Sequence, residues 1–232
     1  MRILLVADLH INKPKFNWVL DVSGQFDAIC IPGDFLDMLI DLDAYPLFGQ
    51  IRWVQDWFKR LQTPTFVCSG NHDWFCSHPQ AAPLINANAE GGWLDSSNAQ
   101  VFSDKSNTLL KTHRFICNPW LGTPKLHNPS KSPIVLLTHA PAAETTLSKD
   151  LTADYGDEHL LETIYALPPS SLVLSGHVHE AKNWYLKIGH AHCFNAGVGY
   201  PDQKAPNHVI IDTVAKTATL HGWNRITVRQ LI

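Results

Sequence analysis

The chain lacks a long apolar segment at its start. Its first apolar run, Ile3–Ala7, is cut by Asp8, far short of a signal-peptide core or of the roughly 20 residues that span a bilayer. No membrane partner is expected, and the cytoplasm is the expected compartment. An excess of basic residues is also missing. Lys and Arg number 18 against 21 Asp and Glu, a net charge of -3, so the overall field offers no attraction to polyphosphate and nucleic acid is not an expected partner. Cysteine is sparse and odd in number, five in all with no C-x-x-C pair, which argues against a disulfide frame or a zinc knuckle. Cys30 and Cys68 lie inside apolar runs and read as buried thiols. Internal repeats and low-complexity tracts are absent too. With 45% apolar residues over 232 positions, the composition is that of an ordinary globular protein, expected to form one domain over 1–232.

Histidine, in contrast, is abundant: 13 residues, a first sign of metal chemistry. Five short runs, Ile3–Ala7, Ala28–Pro32, Thr65–Ser69, Ile134–Thr138 and Leu172–Ser175, are apolar or β-branched and of strand length. They predict buried strands of α/β layers. Between the second and third, Leu47, Ile51, Val54, Phe58 and Leu61 recur at helical spacing, predicting an amphipathic helix over Pro46–Gln62. A second helix is expected over Asp157–Ala166, ended by Pro168-Pro169. After residue 180, the short runs Trp184–Ile188, His192–Asn195, Val209–Asp212 and Thr217–His221 suggest a second, more antiparallel sheet. The stretch from Trp74 to Pro133, rich in Pro, Asn, Ser and Gly, reads as an irregular, substrate-facing insertion.

Each of the five runs ends in residues suited to metal binding: Asp8-Leu9-His10, Gly33-Asp34, Gly70-Asn71-His72-Asp73, Thr138-His139 and Gly176-His177-Val178-His179. Ligands of open α/β sheets gather at the carboxyl ends of strands, so these endings are expected to converge on one cleft. In an extended segment, residues two apart point the same way, which would let Asp8 and His10, and His177 and His179, face it together. Singly, a D-x-H or H-x-H pair is weak, and a strand-end His is more often structural than a ligand. Five such endings, each after its own buried run, outweigh that objection.

In these motifs the sequence resembles the calcineurin-like metallophosphoesterase superfamily, whose ordered set is D-x-H, G-D, G-N-H-[DE], H and G-H-x-H. The resemblance covers about residues 3 to 200. It implies an α/β fold, a four-layer α-β-β-α sandwich of two mixed sheets flanked by helices. It implies that Asp8, His10, Asp34 and His179 hold one metal and that Asp34, Asn71, His139 and His177 hold the other, with Asp34 bridging. It further implies that His72 is the general acid for the leaving group, with Asp73 orienting its imidazole. The donors are carboxylate, imidazole and amide oxygen, which suit two divalent transition ions such as Mn, Fe, Zn or Ni. Two such ions less two carboxylates and a bridging hydroxide leave one net positive charge, enough to attract an anionic phosphoester. The hydroxide would be the nucleophile.

Departures from the family pattern narrow the class. Met38 and Asp73 stand where protein phosphatases of the superfamily carry Arg and Glu, and Asp37 stands where purple acid phosphatases carry an iron-binding Tyr. The closest likeness is to small metallophosphoesterase-domain proteins akin to class III cyclic-nucleotide phosphodiesterases, through Asp157–Pro169, the SGHVHE segment and Phe194-Asn195-Ala196. The expected activity is hydrolysis of a small phosphodiester. The alternatives are a DNA-end nuclease of the double-strand-break repair type, a phosphomonoesterase, or a non-catalytic scaffold, the last disfavoured because every ligand position is filled. Asp37 could orient His72 or merely close a turn, and Asn195 could steady the His177–His179 loop or end a strand. Trp120 reads first as a core residue, with stacking on a base or aryl group as the alternative. Lys13, Arg52, Arg114, Lys125 and Lys131 read as solvated charges.

Overall fold

The computed structural model describes residues 1–41, 46–74, 92–128, 130–199, 203–222 and 225–232. Its first sheet contains β1 (Arg2–Val6), β2 (Ala28–Pro32), β3 (Thr65–Cys68), β4 (Val101–Phe102), β11 (His208–Asp212), β12 (Thr217–Gly222) and β13 (Arg225–Gln230), in the order β13-β12-β11-β1-β2-β3-β4. Its second contains β5 (Asn107–Leu110), β6 (His113–Cys117), β7 (Ile134–Leu137), β8 (Leu172–Ser175), β9 (Tyr185–Ile188) and β10 (Ala191–Asn195), in the order β5-β6-β7-β8-β10-β9. Both are mixed: β1, β2 and β3 run parallel, whereas β11 joins β1 antiparallel.

Alternation along the strands builds the layers. Ile3 and Leu5 of β1 face an inter-sheet core with Phe66, Phe115, Leu137 and Leu174, while Leu4 and Val6 face the opposite way, onto helices. Phe66 and Phe115 stack across the two sheets with centroids 3.9 Å apart. Removing either ring would cost about 3–5 kcal/mol. The outer face of the first sheet is covered by α1 (Lys13–Val22) and α2 (Leu47–Phe58), and that of the second by α3 (Leu160–Tyr165). The α-β-β-α sandwich is therefore the observed fold. Among the described residues no helix is long and apolar enough to cross a membrane.

Several expectations need correction. The late runs do not form a sheet of their own. β9 and β10 extend the second sheet, whereas β11, β12 and β13 extend the first, because each run continues the open edge of a sheet already begun. The 74–133 segment is not irregular throughout, since it supplies β4, β5 and the fully integrated strand β6. Its residues 75–91, with Cys76, lie outside the described residues. Helix α1 was not foreseen, although Asn12 caps it by accepting Lys15 N–H at 3.3 Å and Pro14 sits in its first turn. Both expected helices are shorter than the sequence pattern: α2 ends at Phe58, and α3 begins only after Asp157 has closed a turn by accepting His159 N–H.

Candidate metal centre

The carboxyl ends of β1, β2, β3, β7 and β8 lie side by side across the two sheets, and their loops are stitched together. His10 N–H donates to Asp34 O at 3.0 Å and Ile11 N–H to Phe35 O at 2.8 Å, tying the first loop to the second. Gly176 N–H donates to His139 O at 3.0 Å, tying the fifth to the fourth. Between the sheets, Asp8 accepts His177 N–H at 3.0 Å, and His139 Nδ1 donates to Pro32 O at 2.7 Å. Glycine is needed at these crossings. A Cβ on Gly70 would lie 2.2 Å from Asp34 Oδ1, and one on Gly33 would lie 2.4 Å from His139 Nδ1.

The convergence does not arise from extended backbone as the sequence suggested. Asp8, His10, Asp34 and His177 all have positive φ, at 54°, 41°, 56° and 68°. The strands end at Val6 and Ser175, and the left-handed turns that follow aim the side chains inward. Such conformations cost about 1 kcal/mol or more in non-glycine residues and concentrate at functional sites.

The side chains gather in overlapping groups. Ligand atoms of Asp8, His10 and His179 lie within 4.8 Å of one another, as do those of Asp34, His139 and His177, and those of His10, Asp34 and His72. Asp34 Oδ2 stands 3.3 Å from His139 Nε2 and 3.8 Å from His10 Nε2, so one carboxylate reaches both ends of the cluster. Asn71 Oδ1 lies 2.9 Å from His139 Nε2. These residues could hold metal ions.

The hydrogen bonding fits that use. His10 Nδ1 and His139 Nδ1 each donate to a backbone carbonyl, Leu36 O at 3.2 Å and Pro32 O at 2.7 Å, which leaves Nε2 of each ring as a lone-pair donor. His10 Nε2 then faces His179 Nε2 at 3.2 Å, and His139 Nε2 faces two oxygens that can only accept. The oxygens at His139 Nε2 only accept, so a proton or a metal ion must stand between them and that nitrogen. Without the ion, burial lowers the pKa of His139, but the Asp34 charge and hydrogen bond outweigh it and push it up to about 9. Asp34, which burial alone would raise, is held well below the usual carboxylate range by His139 and His10. His177 is pushed down to about 4 by burial and by the charge of His139.

Asp73 does not orient His72. Its Oδ2 accepts Asp34 N–H and Gly70 N–H, both at 2.9 Å, and its Oδ1 accepts Phe35 N–H at 3.1 Å and Leu36 N–H at 3.2 Å. Burial and the nearby Asp34 charge push its pKa up. Four donors nevertheless occupy the acceptor positions of one carboxylate and leave no place for a proton, so it serves as a buried anionic clip joining the second and third loops. His72 is oriented instead by Met38 N–H, which its Nδ1 accepts at 3.1 Å, with Asp37 Oδ1 at 3.9 Å. Asp37 closes a turn by accepting Leu39 N–H at 2.8 Å, and it makes no direct hydrogen bond to His72. Asn195 donates to Val178 O at 3.0 Å and to Leu147 O at 3.2 Å, steadying the His177–His179 loop.

Trp120 is not a core residue. Only half-buried, it packs its ring over His139 and His177 with centroids 5.4 and 5.3 Å away. Tyr155, which sequence reasoning missed, lines a cleft of about 470 Å³ together with Asp150, His72, His177 and His179. No periodic signal marks Tyr155, because it belongs to the loop between β7 and α3.

A family profile for calcineurin-like phosphoesterases matches residues 1–181. The chain belongs to this family. Membership makes it a phosphoric ester hydrolase, and the family's chemistry uses divalent metal ions. No curated protein sequence matches the chain at a significant level. Solved structures show the same fold at low identity. The phosphoesterase Yfce from E. coli is 14% identical with a TM-score of 0.50 and full coverage of both chains, 100% and 100%. TT1561 of Thermus thermophilus is 13% identical with a TM-score of 0.51, covering 100% of this chain and 99% of that one. A purple acid phosphatase, PPD1 from yellow lupin seeds, is 12% identical with a TM-score of 0.53 over 95% of this chain and 50% of its own.

Proposed function

We propose that the chain hydrolyses a small, nucleotide-like or other phosphodiester at a dinuclear metal centre, as a soluble cytoplasmic enzyme comprising one domain over 1–232. The observation that carries this reading is the position of Asp34 Oδ2, within 4 Å of both His10 and His139. Asp8, His10, Asp34 and His179 would hold one ion, and Asp34, Asn71, His139 and His177 the other, drawn from Mn, Fe, Zn or Ni. Two such ions, when bound, supply an activated water at neutral pH and neutralise phosphoryl charge.

The chain's own residues do the rest. The Asp73 clip fixes the loops that carry Asp34 and Asn71. His72 donates from Nε2 to the departing oxygen. As its Nδ1 already accepts Met38 N–H, full proton transfer requires the ring to charge first and turn its second N–H toward Asp37 Oδ1. Tyr155 lines the cleft, where it can pack against a planar leaving group, and Trp120 backs the ligand histidines His139 and His177. Met38 offers no guanidinium to clamp a dianionic monoester, which favours a monoanionic diester. The net charge of -3 gives long DNA no overall attraction.

The test is a panel with the Mn-loaded protein: bis(p-nitrophenyl) phosphate, p-nitrophenyl phosphate, 2′,3′- and 3′,5′-cyclic nucleotides, and DNA. Activity on the diester should exceed that on the monoester, and nucleotide diesters should be cleaved without an added partner. Processive degradation of long DNA with no small-diester activity would replace this reading with the nuclease.

A further inference from the structure

The second sheet is covered unevenly. Helix α3 packs Leu160 and Ile164 over Leu136, Val173 and Cys193 and shares that cluster with Ile116 of β6, but among the described residues no helix shares a core cluster with β5 on this face. On β6, Phe115 and Cys117 face the inter-sheet core, which turns Arg114 and Ile116 to the outer face. The cover there is the loop that follows β6, and between loop and sheet lies a cavity of about 580 Å³. That is the size of a pocket for a drug-sized molecule. It is larger than the metal cleft and none of its lining residues is a candidate metal ligand.

Its chemistry is one-sided. Lys105, Arg114 and Lys125 line it, and no Asp or Glu does. None of the three cations makes an ion pair among the described residues, whereas Lys59, Lys111, Lys149 and Lys204 all do. Arg114 is fixed on one side, its Nη1 donating to Asn107 Oδ1 at 2.7 Å, and Asn107 Nδ2 is held in turn by His127 O at 2.9 Å. Arg114 Nε, on a lining residue, is buried without a hydrogen-bond partner among the described residues. A buried donor left unmade costs about 1–3 kcal/mol, so a preformed guanidinium with spare donors beside an apolar wall of Ile116 and Pro119 is built to receive something. Asp104, the sequence neighbour of Lys105, accepts Ser69 N–H at 2.9 Å and is not part of the lining.

We propose that this cavity is a second ligand site, binding a small organic anion whose phosphate, sulfonate or carboxylate group meets Arg114, Lys105 and Lys125 while its flat apolar body lies along Ile116 and Pro119. The cavity shares Asn118, Pro119 and Gly122 with the loop that holds Trp120 against His139 and His177. Asn118 Nδ2 closes that loop on Gly122 O at 2.7 Å. An occupant therefore touches the backbone that positions the ring packed against His139 and His177. The anion can be a separate metabolite or the far end of an extended substrate, since both present the same chemistry to the cations.

The test uses naphthalene-1-sulfonate, which has the required body and charge and no bond for a phosphoesterase to cleave. Calorimetric titration of the metal-loaded protein should show saturable binding near one equivalent. Lys125→Glu, an exposed change that spares the fold, and Arg114→Gln should each weaken binding by about tenfold or more, while turnover of bis(p-nitrophenyl) phosphate stays within about twofold. Competition with a cyclic nucleotide but not with the small aryl diester would assign the cavity to the far end of the substrate; competition with neither would assign a separate ligand. Absence of saturable binding to the unaltered protein overturns the site. So does binding that both variants leave unchanged, or that Asp34→Asn abolishes while they do not, since the probe would then sit in the metal cleft.

Discussion

His139 is held between two oxygens of the first sheet: its Nδ1 lies 2.7 Å from Pro32 O, and its Nε2 lies 3.3 Å from Asp34 Oδ2. The ring comes from the second sheet, so this one side chain joins both halves of the sandwich at the cleft. Asp34 is its charge partner and also reaches His10.

Loss of the shared carboxylate should therefore be felt at both metal positions. Metal analysis of gel-filtered Asp34→Asn is expected to find both ions gone, whereas His139→Ala should mainly empty one. Two tightly held ions in Asp34→Asn would sink the dinuclear assignment.

Leaving-group dependence reports on His72. His72→Ala should keep its metal but slow esters of poor leaving groups about 10²–10⁴-fold, with far less effect on activated aryl esters. An equal loss on both substrate types would mean that the ring only positions the site.

The Asp73 clip gives a prediction about stability. In Asp73→Asn one side-chain oxygen becomes an NH₂ facing two backbone N–H donors, which loses two buried bonds and adds repulsion. A drop of about 3 kcal/mol or more in unfolding free energy is expected, read from urea denaturation of the metal-free protein. An unchanged midpoint would show that the four N–H contacts carry little of the fold.

Acid stability should depend on His208, which is none of the candidate metal ligands. Burial lowers its pKa from 6.5 to about 4, its Nδ1 donates to Pro206 O at 2.9 Å, and its ring stacks on His221 at 4.8 Å. Between those two pH values the unfolded chain binds a proton that the folded chain refuses, so stability rises with pH across that window and falls as pH is lowered through it. The full difference is at most about 3 kcal/mol. His208→Gln should flatten the slope of melting temperature against pH between about 6.5 and 4, and an unaltered slope would count against a neutral buried ring.

Much of this was legible in the sequence, and the parts that were not share a cause. Runs such as Ile3–Ala7 and Leu172–Ser175 announce buried strands because both of their faces are covered, so no alternation is needed to find them. Sheet membership was not legible: Val209–Asp212 pairs with β1 across nearly the whole chain, and nothing local in it names that partner. Which residues form the site could be read from five strand endings. How they are aimed could not, because positive φ at Asp8 or His177 leaves no mark on residue type. Asp73 was assigned to its sequence neighbour His72, whereas its partners are backbone groups, which every residue carries alike. Trp120 was weighed by composition, and composition cannot say which Trp of eight packs against His139 and His177.

The pairing of β1 with β11 also has a consequence for biosynthesis. The first strand carries Asp8 and His10 at its end, yet one of its two flanks is filled only by residues 208–212, which leave the ribosome about 200 residues later. Until then β1 is an open edge beside Ala28–Pro32, able to pair with another nascent chain. All candidate ligands are synthesised by His179, but the strand that anchors two of them is still half-paired at that point. Asp8 and His10 thus follow a strand that is paired on both sides only once β11 has been made.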